Sequence, residues 1–270
     1  MTASREQYPT RAAIARAVCE ELDWRTPGGE LKLMSARVAL LRMHRDGYIV
    51  LPPTVNNPSV RAKPPRLTAA SAPQLPIRGS RGDLPELRLV SVSGNRQQGR
   101  LWRELVARYH YLGYQPLPGA QMRYLIESCG LLLGVIGFGA AAWKIAPRDR
   151  FIGWTDAQRQ ARLHLVVNNA RFLLLPWVQV RFLASSVLAL AARQVGDDWQ
   201  ARYGYRPLLL ETFVERDRFA GTSYAAANWI RVGQTQGRGK LDRYTHRHKP
   251  VKDIWLYPLD RRFREVLCAP

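Results

Sequence analysis

The sequence predicts a mixed α/β domain with a mixed sheet, preceded by a small winged helix-turn-helix domain. Two observations support this prediction. Segments with helix and strand periodicity alternate over residues 87–270. Eight prolines fall between Pro52 and Pro85, where large apolar residues are scarce, so residues 54–86 are predicted to be a basic linker. Residues 1–53 then form the N-terminal domain.

The N-terminal domain is predicted from two helical patterns. Ile14, Val18 and Leu22 form a single apolar stripe, and a second helix ends near Gly47. The short extended run over residues 48–51 would be the wing. In such folds the second helix reads the major groove of duplex DNA, and its basic residues are the candidates for that contact: Arg37, Arg42 and Arg45. A plain helical hairpin with a solvated charged face is the alternative.

The elements of the α/β domain follow from apolar spacing. Helices are predicted where apolar residues recur at helical intervals, and strands where they alternate or run together. In order, the pattern predicts a helix over 98–109, a hairpin of strands over 121–128 and 131–143, a polar helix after Thr155, an apolar strand over 171–178, a long helix from Leu183, a buried strand over 207–214, a capped helix from Thr222 to Gly233 and a final strand over 252–259.

Charge and cysteine content narrow the function classes. Lys and Arg outnumber Asp and Glu by 41 to 21, which gives a net charge of +20 and predicts a polyanionic partner. The three cysteines have no metal-ligand spacing and indicate a reducing compartment. The longest apolar stretch, residues 130–143, is too short to span a bilayer. A cytoplasmic protein without a membrane partner is therefore predicted.

Several blocks of the α/β domain together resemble the DruA family. These blocks are RYHYLG, LLLGVIGFGAAAW, RDRFIGW, VVNNARFLLLPWV, YGYRPLLLETFVE, RFAGTSYAAANWIRVGQTQGRGK and VKDIWLYPL. The family is named after a component of the Druantia anti-phage system and also occurs in stand-alone and transposon-associated proteins. The resemblance implies a DNA-binding, DNA-processing protein in anti-phage defence or linked to a mobile element.

A more distant resemblance concerns the fold. The order of strands and helices resembles the GNAT-like fold, and RYHYLG is similar to a motif of the Mom-like DNA modifiers. GNAT acetyltransferases place a glycine-rich turn against the cofactor pyrophosphate. The corresponding stretch here, WVQVRFLASSVL, has no glycine. Acetyl-CoA binding is therefore not expected, and the cofactor is left open.

The first candidate catalytic residues follow the helix over 98–109. His110 and Tyr111 precede a loop rich in glycine and proline, where polar side chains reach a cleft. Because the ordinary pKa of histidine lies near neutrality, His110 is a candidate general base or phosphate ligand. The alternative is a structural histidine among aromatic residues.

Two glutamates on one predicted strand are the next candidates. Glu211 and Glu215 share a strand face, and a buried carboxylate is costly unless it is paired. They are either functional acids, which under a strand-cleaving reaction would bind Mg²⁺ or Mn²⁺, or parts of ion pairs. The candidate ion-pair partners of Glu211 are Arg171, Arg218 and Arg238.

The remaining candidates are predicted to contact nucleic acid. Tyr224 is a candidate catalytic residue on the helix that begins near Thr222. Asn169 can read a base edge or close a turn. Basic and amide side chains near aromatic rings would contact phosphates and bases: Asn169, Arg171, Asn228, Arg238, Lys240, Arg243 and Lys249. A merely solvated basic segment is the alternative.

The sequence is compatible with three functions. The leading hypothesis is a DNA-binding, DNA-processing protein with any reaction centred between His110, Glu211 and Tyr224. The second is a non-catalytic DNA-binding accessory that recruits a helicase or a transposase. The third is a metal-dependent DNA strand-cleaving enzyme of the nuclease or transposase type, with Glu211 and Glu215 as metal ligands.

Overall fold

The computed structural model describes residues 10–25, 29–53, 64–117, 119–237 and 250–269. The chain divides into two compact units, residues 1–63 and residues 64–270. Within the described ranges, every helix is too short or too polar to cross a bilayer.

The described part of the first unit contains two helices, α1 (Arg11–Glu21) and α2 (Leu33–Arg45). Thr10 caps α1 by accepting a hydrogen bond from the backbone N–H of Ala13. The apolar faces of both helices form a small core: Ile14, Ala15, Cys19, Ala36, Leu40 and Leu51. The run over residues 48–51 is not a strand, so the predicted wing is not confirmed. The helices themselves are present.

The second unit is a mixed α/β domain, as predicted. The strands are β1 (Ile77–Ser80), β2 (Arg88–Ser91), β3 (Gln121–Ser128), β4 (Leu131–Ala140), β5 (Val166–Leu174), β6 (Val178–Arg181), β7 (Leu209–Glu215), β8 (Ile230–Gln234) and β9 (Lys252–Pro258). Among the described residues, the main sheet has seven strands in the order β2-β3-β4-β5-β7-β9-β8, and β5 with β7 is its one parallel pair. A second sheet pairs β1 with β6 in parallel.

Helices cover both faces of the main sheet. The helices are α3 (Arg96–Tyr109), α4 (Ala146–Ile152), α5 (Asp156–Arg162), α6 (Leu183–Tyr203), α7 (Thr222–Ala226) and α8 (Phe263–Leu267). The larger core contains Trp102 of α3 and Val187 of α6. A second core, around Ile152 and Leu209, contains residues of α4 and α8. The odd and even residues of β7 therefore face different cores.

The largest differences from the predicted boundaries are three. Residues 64–86, predicted as linker, include β1, and Leu84 packs in the larger core. The strand predicted over 171–178 is β5, which begins at Val166 and stops before Pro176, because proline lacks the N–H that a strand ladder needs. The helix predicted to reach Gly233 stops at Ala226. Asn228 then adopts a φ of 61°, which breaks the helix and leads into β8.

Candidate functional site

A cleft of about 630 Å³ lies where β5 and β7 diverge. The two strands pair only over Val166–Asn168 and Leu209–Glu211, although both continue further. Beyond that point their facing edges open, and the C-terminus of α3 and the loop before α7 close the sides. The lining includes Tyr109, His110, Tyr111, Asn169, Phe172, Thr212, Arg218, Phe219, Gly221, Thr222, Ser223 and Tyr224.

A hydrogen-bond network connects the diverging strands at the floor of the cleft. The Thr212 hydroxyl donates to the Asn169 carbonyl at 3.0 Å. The Asn169 amide donates to the carbonyls of Gly137 and Arg171, and its side-chain oxygen accepts from the Tyr224 hydroxyl at 2.8 Å. Asn169 is thus a buried strand residue with its amide engaged, and no turn forms there. Its role in this geometry is to position Tyr224.

Tyr224 is held as a protonated phenol. Its ring packs against Phe172, Trp229 and Trp255, with centroid distances of 5.1–6.5 Å. Burial raises the pKa of Tyr224 to about 12. At neutral pH the hydroxyl therefore keeps its proton and donates it to Asn169. This arrangement supports a structural or orienting role for Tyr224 and not that of a base.

His110 is neutral at physiological pH. It ends α3, and its Nδ1 accepts a hydrogen bond from the backbone N–H of Leu112 at 3.2 Å. Burial, and then the positive charges of Arg171 and Lys252, lower the pKa of His110 to about 4. With Nδ1 engaged as acceptor, the ring proton is on Nε2. His110 is therefore a hydrogen-bond donor, and the geometry does not favour the predicted general-base role.

Aromatic rings and an arginine form the rim of the cleft. The Tyr111 ring stacks on His110 at 4.9 Å and meets Phe219 edge-on at 5.4 Å. The Arg218 guanidinium lies 5.2 Å from the centre of the Tyr111 ring. Arg218 also donates to the Glu215 carboxylate at 3.1 Å. Tyr111 and Phe219 are 37% and 48% exposed, so a stacking surface faces solvent here.

Arg171 supplies positive charge beside the cleft. Its Nη1 donates to the carbonyl of Ala170 at 2.7 Å, and its Nε is buried with no hydrogen-bond partner in the described part of the chain. Burial lowers the pKa of Arg171. The predicted ion pair between Arg171 and Glu211 is absent from the structure, where another arginine pairs with Glu211.

Glu211 does not reach the cleft. Because neighbouring strand residues point to opposite faces and Thr212 faces the cleft, Glu211 points into the second core. There it accepts from Arg148 at 2.8 Å and from the backbone N–H of Ala142 at 2.7 Å. Both Glu211 and Arg148 are fully buried. Complete burial raises the pKa of Glu211, although Arg148 and the Ala142 N–H oppose that shift.

The two glutamates therefore do not form one site. Glu211 is held by Arg148, whereas Glu215 is held by Arg218 at the cleft rim. The partners predicted for Glu211 did not include Arg148. Across the described ranges, no group of three or more His, Cys, Asp and Glu side chains lies close enough to hold a metal ion. A reaction centred on Glu211 together with His110 and Tyr224 is not supported by this arrangement.

The other predicted nucleic-acid contacts are not among the described residues that line the cleft. Asn228 is exposed in the turn between α7 and β8. Three predicted arginines are exposed on α2 of the first unit: Arg37, Arg42 and Arg45. Four predicted basic residues fall outside the described residues: Arg238, Lys240, Arg243 and Lys249. Sequence reasoning missed Phe219 and Thr212 as cleft residues, since neither type is distinctive in a sequence.

Gly221 packs closely against the Trp255 ring beside the cleft. It has a φ of +72°, and a Cβ at this position would lie 2.6 Å from the Trp255 ring. We expect Gly221→Ala to lower the free energy of unfolding by about 1–3 kcal/mol, because the ring must move and the left-handed backbone is strained. Urea denaturation measures this. Gly130→Ala is the control for strain alone, since it has a φ of +78° with no atom near its Cβ position. Equal losses in both variants would contradict the close contact with Trp255.

Solved structures offer only partial likenesses. An N-acetyltransferase from Staphylococcus aureus Mu50 is 13% identical over 52% of this chain and 68% of that chain, with a TM-score of 0.34. FeeM, an N-acyl amino acid synthase from uncultured soil microbes, is 11% identical over 66% of this chain and 98% of that chain, with a TM-score of 0.37. At these scores neither fold assignment nor activity follows. No curated protein matches the chain.

The sequence itself matches one protein family. Residues 47–246 match the family described as Druantia protein DruA. The match includes α3, the two strands that form the cleft and all of the sequence blocks quoted above except VKDIWLYPL. It spans well over half of the chain. The chain therefore belongs to the DruA family.

Proposed function

We propose that this chain is a DNA-binding, DNA-processing component of an anti-phage system, and that its cleft receives an unpaired nucleobase. The family supports the anti-phage role, and the net charge of +20 supports a polyanionic partner. A nucleic acid is favoured over other polyanions because the cleft combines stacking surfaces with positive charge, which suits a base together with its phosphate.

The observation that carries the proposal is the solvent-facing aromatic rim. Tyr111 and Phe219 present ring surface at the opening, and Arg218 lies over Tyr111. A base stacked on such a ring gains about 1–3 kcal/mol. The proton on His110 Nε2 is a donor for a base edge or a phosphate oxygen. The cleft volume, about 630 Å³, lies within the range of small-ligand sites and accommodates a nucleotide.

One observation favours a second function, a non-catalytic accessory that recruits a helicase or a transposase. The polar groups of the described cleft are hydrogen-bond donors or are already paired: His110 is neutral, Tyr224 is protonated and Glu215 is bound to Arg218. Metal-dependent strand cleavage receives less support, because Glu211 lies in a buried ion pair on the other face of β7.

The experiment compares a fully paired duplex with the same duplex carrying one unpaired nucleotide. We expect tighter binding to the second DNA, and affinity for both that falls with log salt at a slope of about −5 if about six phosphates are contacted. Equal affinity for the two DNAs would contradict the base-binding cleft, and a flat salt response would contradict the DNA partner.

The same complexes separate the processing and accessory functions. A denaturing gel with and without Mg²⁺ or Mn²⁺ detects strand cleavage, and mass analysis of the nucleosides detects a modified base. Cleaved or modified DNA supports processing. Intact, unmodified DNA in a salt-sensitive complex supports the accessory function.

A further inference from the structure

Three arginines lie together on the sheet face covered by α3, outside the cleft lining: Arg103, Arg123 and Arg202. We call them the arginine cluster. Arg123 lies on β3, and its guanidinium is 5.6 Å from the Trp102 ring. Arg103 directly follows Trp102 on α3. Packing on the indole therefore holds Arg123 against α3, next to the residue that Arg103 follows.

The third member is anchored to the same strand. Arg202 Nε donates to the Tyr203 hydroxyl at 3.1 Å. That hydroxyl donates to the carbonyl of Gln121 at 2.9 Å and accepts from its N–H at 2.8 Å. Gln121 precedes Arg123 by two residues on β3, so both lie on one face of the sheet. The pKa of Arg123 is lowered by burial and then by the charges of Arg103 and Arg202, as their closeness requires.

No carboxylate neutralises the cluster in the part of the chain that the structure describes. None of the three arginines makes an ion pair there. Asp198, one helical turn before Arg202, instead accepts a hydrogen bond from Gln194 at 2.9 Å. Arg202 is exposed and the other two are partly exposed, so the cluster opens to solvent. Two of these like charges are held in place, Arg123 by an indole and Arg202 by a phenol, which favours the binding of an anion.

The strand register relates the cluster to the cleft. Arg123 is paired with Gly137 on β4, and Gly137 with Arg171 on β5, so Arg123 and Arg171 share one sheet face. Two strand spacings, about 10 Å, separate their backbones. Trp102 covers the glycine between them, since a Cβ there would lie 2.7 Å from its ring. Positive charge thus continues from the cleft side across this face.

We propose that the arginine cluster binds phosphate groups of the nucleic-acid backbone beside the nucleotide held in the cleft. The nucleic-acid part of this proposal rests on the proposed function. Guanidinium groups bind phosphate oxygens in a bidentate manner, and the cluster offers three of them. A chain that enters the cleft with its base would pass its neighbouring phosphates over Arg123.

The test uses the full chain with the two helical members replaced, Arg103→Gln with Arg202→Gln. The probe is a labelled single-stranded oligonucleotide. We expect the slope of log affinity against log salt to become shallower by about 1.4, since each lost phosphate contact on a single strand removes about 0.7. Arg193→Gln is the control for loss of one exposed positive charge from α6, because it lies about two and a half turns before Arg202, on the opposite side of the helix.

A second probe separates failure of this proposal from failure of the proposed function. Tripolyphosphate binding is measured by calorimetry in the wild-type chain and in the double variant. If no oligonucleotide binds the wild-type chain, the proposed function fails, and tripolyphosphate binding that the double variant loses still supports a phosphate site. Two results would overturn the proposal that the arginine cluster binds phosphate. One is an unchanged salt slope in a double variant that melts at the same temperature as the wild-type chain. The other is wild-type protein that binds tripolyphosphate no more tightly than the double variant does.

Discussion

Arg148→Ala is expected to lower the free energy of unfolding by about 3–5 kcal/mol at neutral pH. The Arg148 guanidinium is fully buried and donates to Glu211, to Asp149 and to the carbonyl of Ala142 at 2.7–2.9 Å. Its removal leaves the Glu211 carboxylate in the core without a counter-ion. Urea denaturation monitored by tryptophan fluorescence measures the loss.

The loss in this variant is expected to depend on pH. Burial already raises the pKa of Glu211, and removal of Arg148 takes away a charge that lowers it. The folded variant then binds a proton that the unfolded chain has lost, so its stability decreases as pH rises above the ordinary carboxyl range. The deficit should therefore be smaller near pH 5 than at pH 8.

Two further variants distinguish loss of the buried ion pair from loss of any arginine in this segment. Arg150→Ala removes an exposed arginine two residues away and should change stability by less than about 0.5 kcal/mol. Arg148→Met combined with Glu211→Leu removes both fully buried charges and should recover most of the loss, since apolar replacement of a buried pair is often neutral and Asp149 keeps its hydrogen bonds from Trp154 and Ile145. A small, pH-independent loss in Arg148→Ala would show that the pair is unimportant.

Tyr111→Ala is expected to weaken binding to a duplex with one unpaired nucleotide by about 5-fold to 150-fold, which corresponds to 1–3 kcal/mol of stacking. The ring is 37% exposed, stacks on His110 and carries Arg218 over its face. Its removal takes away the stacking surface without opening the core. Affinity for the fully paired duplex should change little, because phosphate contacts dominate there.

Matched variants distinguish stacking from general effects on binding. Tyr111→Phe keeps the ring and should stay close to the wild-type affinity. Trp143→Ala removes another exposed aromatic residue that does not line the cleft, and should leave both DNAs bound as before. If Tyr111→Ala weakens both DNAs equally, the ring does not stack on an unpaired base.

The elements with strong local periodicity could be predicted from the sequence. The apolar stripe of Val187, Ala191 and Val195 predicted α6, because residues at helical spacing share one face. The residues Cys129 and Gly130 predict the turn between β3 and β4, and both adopt positive φ in the structure. The positive charge and the family were likewise properties of the sequence.

Contacts between residues far apart in the chain could be learned only from the tertiary structure. The apolar strand around Glu211 predicts a buried acid. Its partner Arg148 lies 63 residues away, and nothing in the sequence distinguishes it from the other Lys and Arg residues, which together with it number 41. The cleft exists because β5 and β7 stop pairing after Asn168 and Glu211, and no local pattern records that divergence. Local spacing fixes which face of an element is apolar, whereas the packing of whole elements decides which side chains meet.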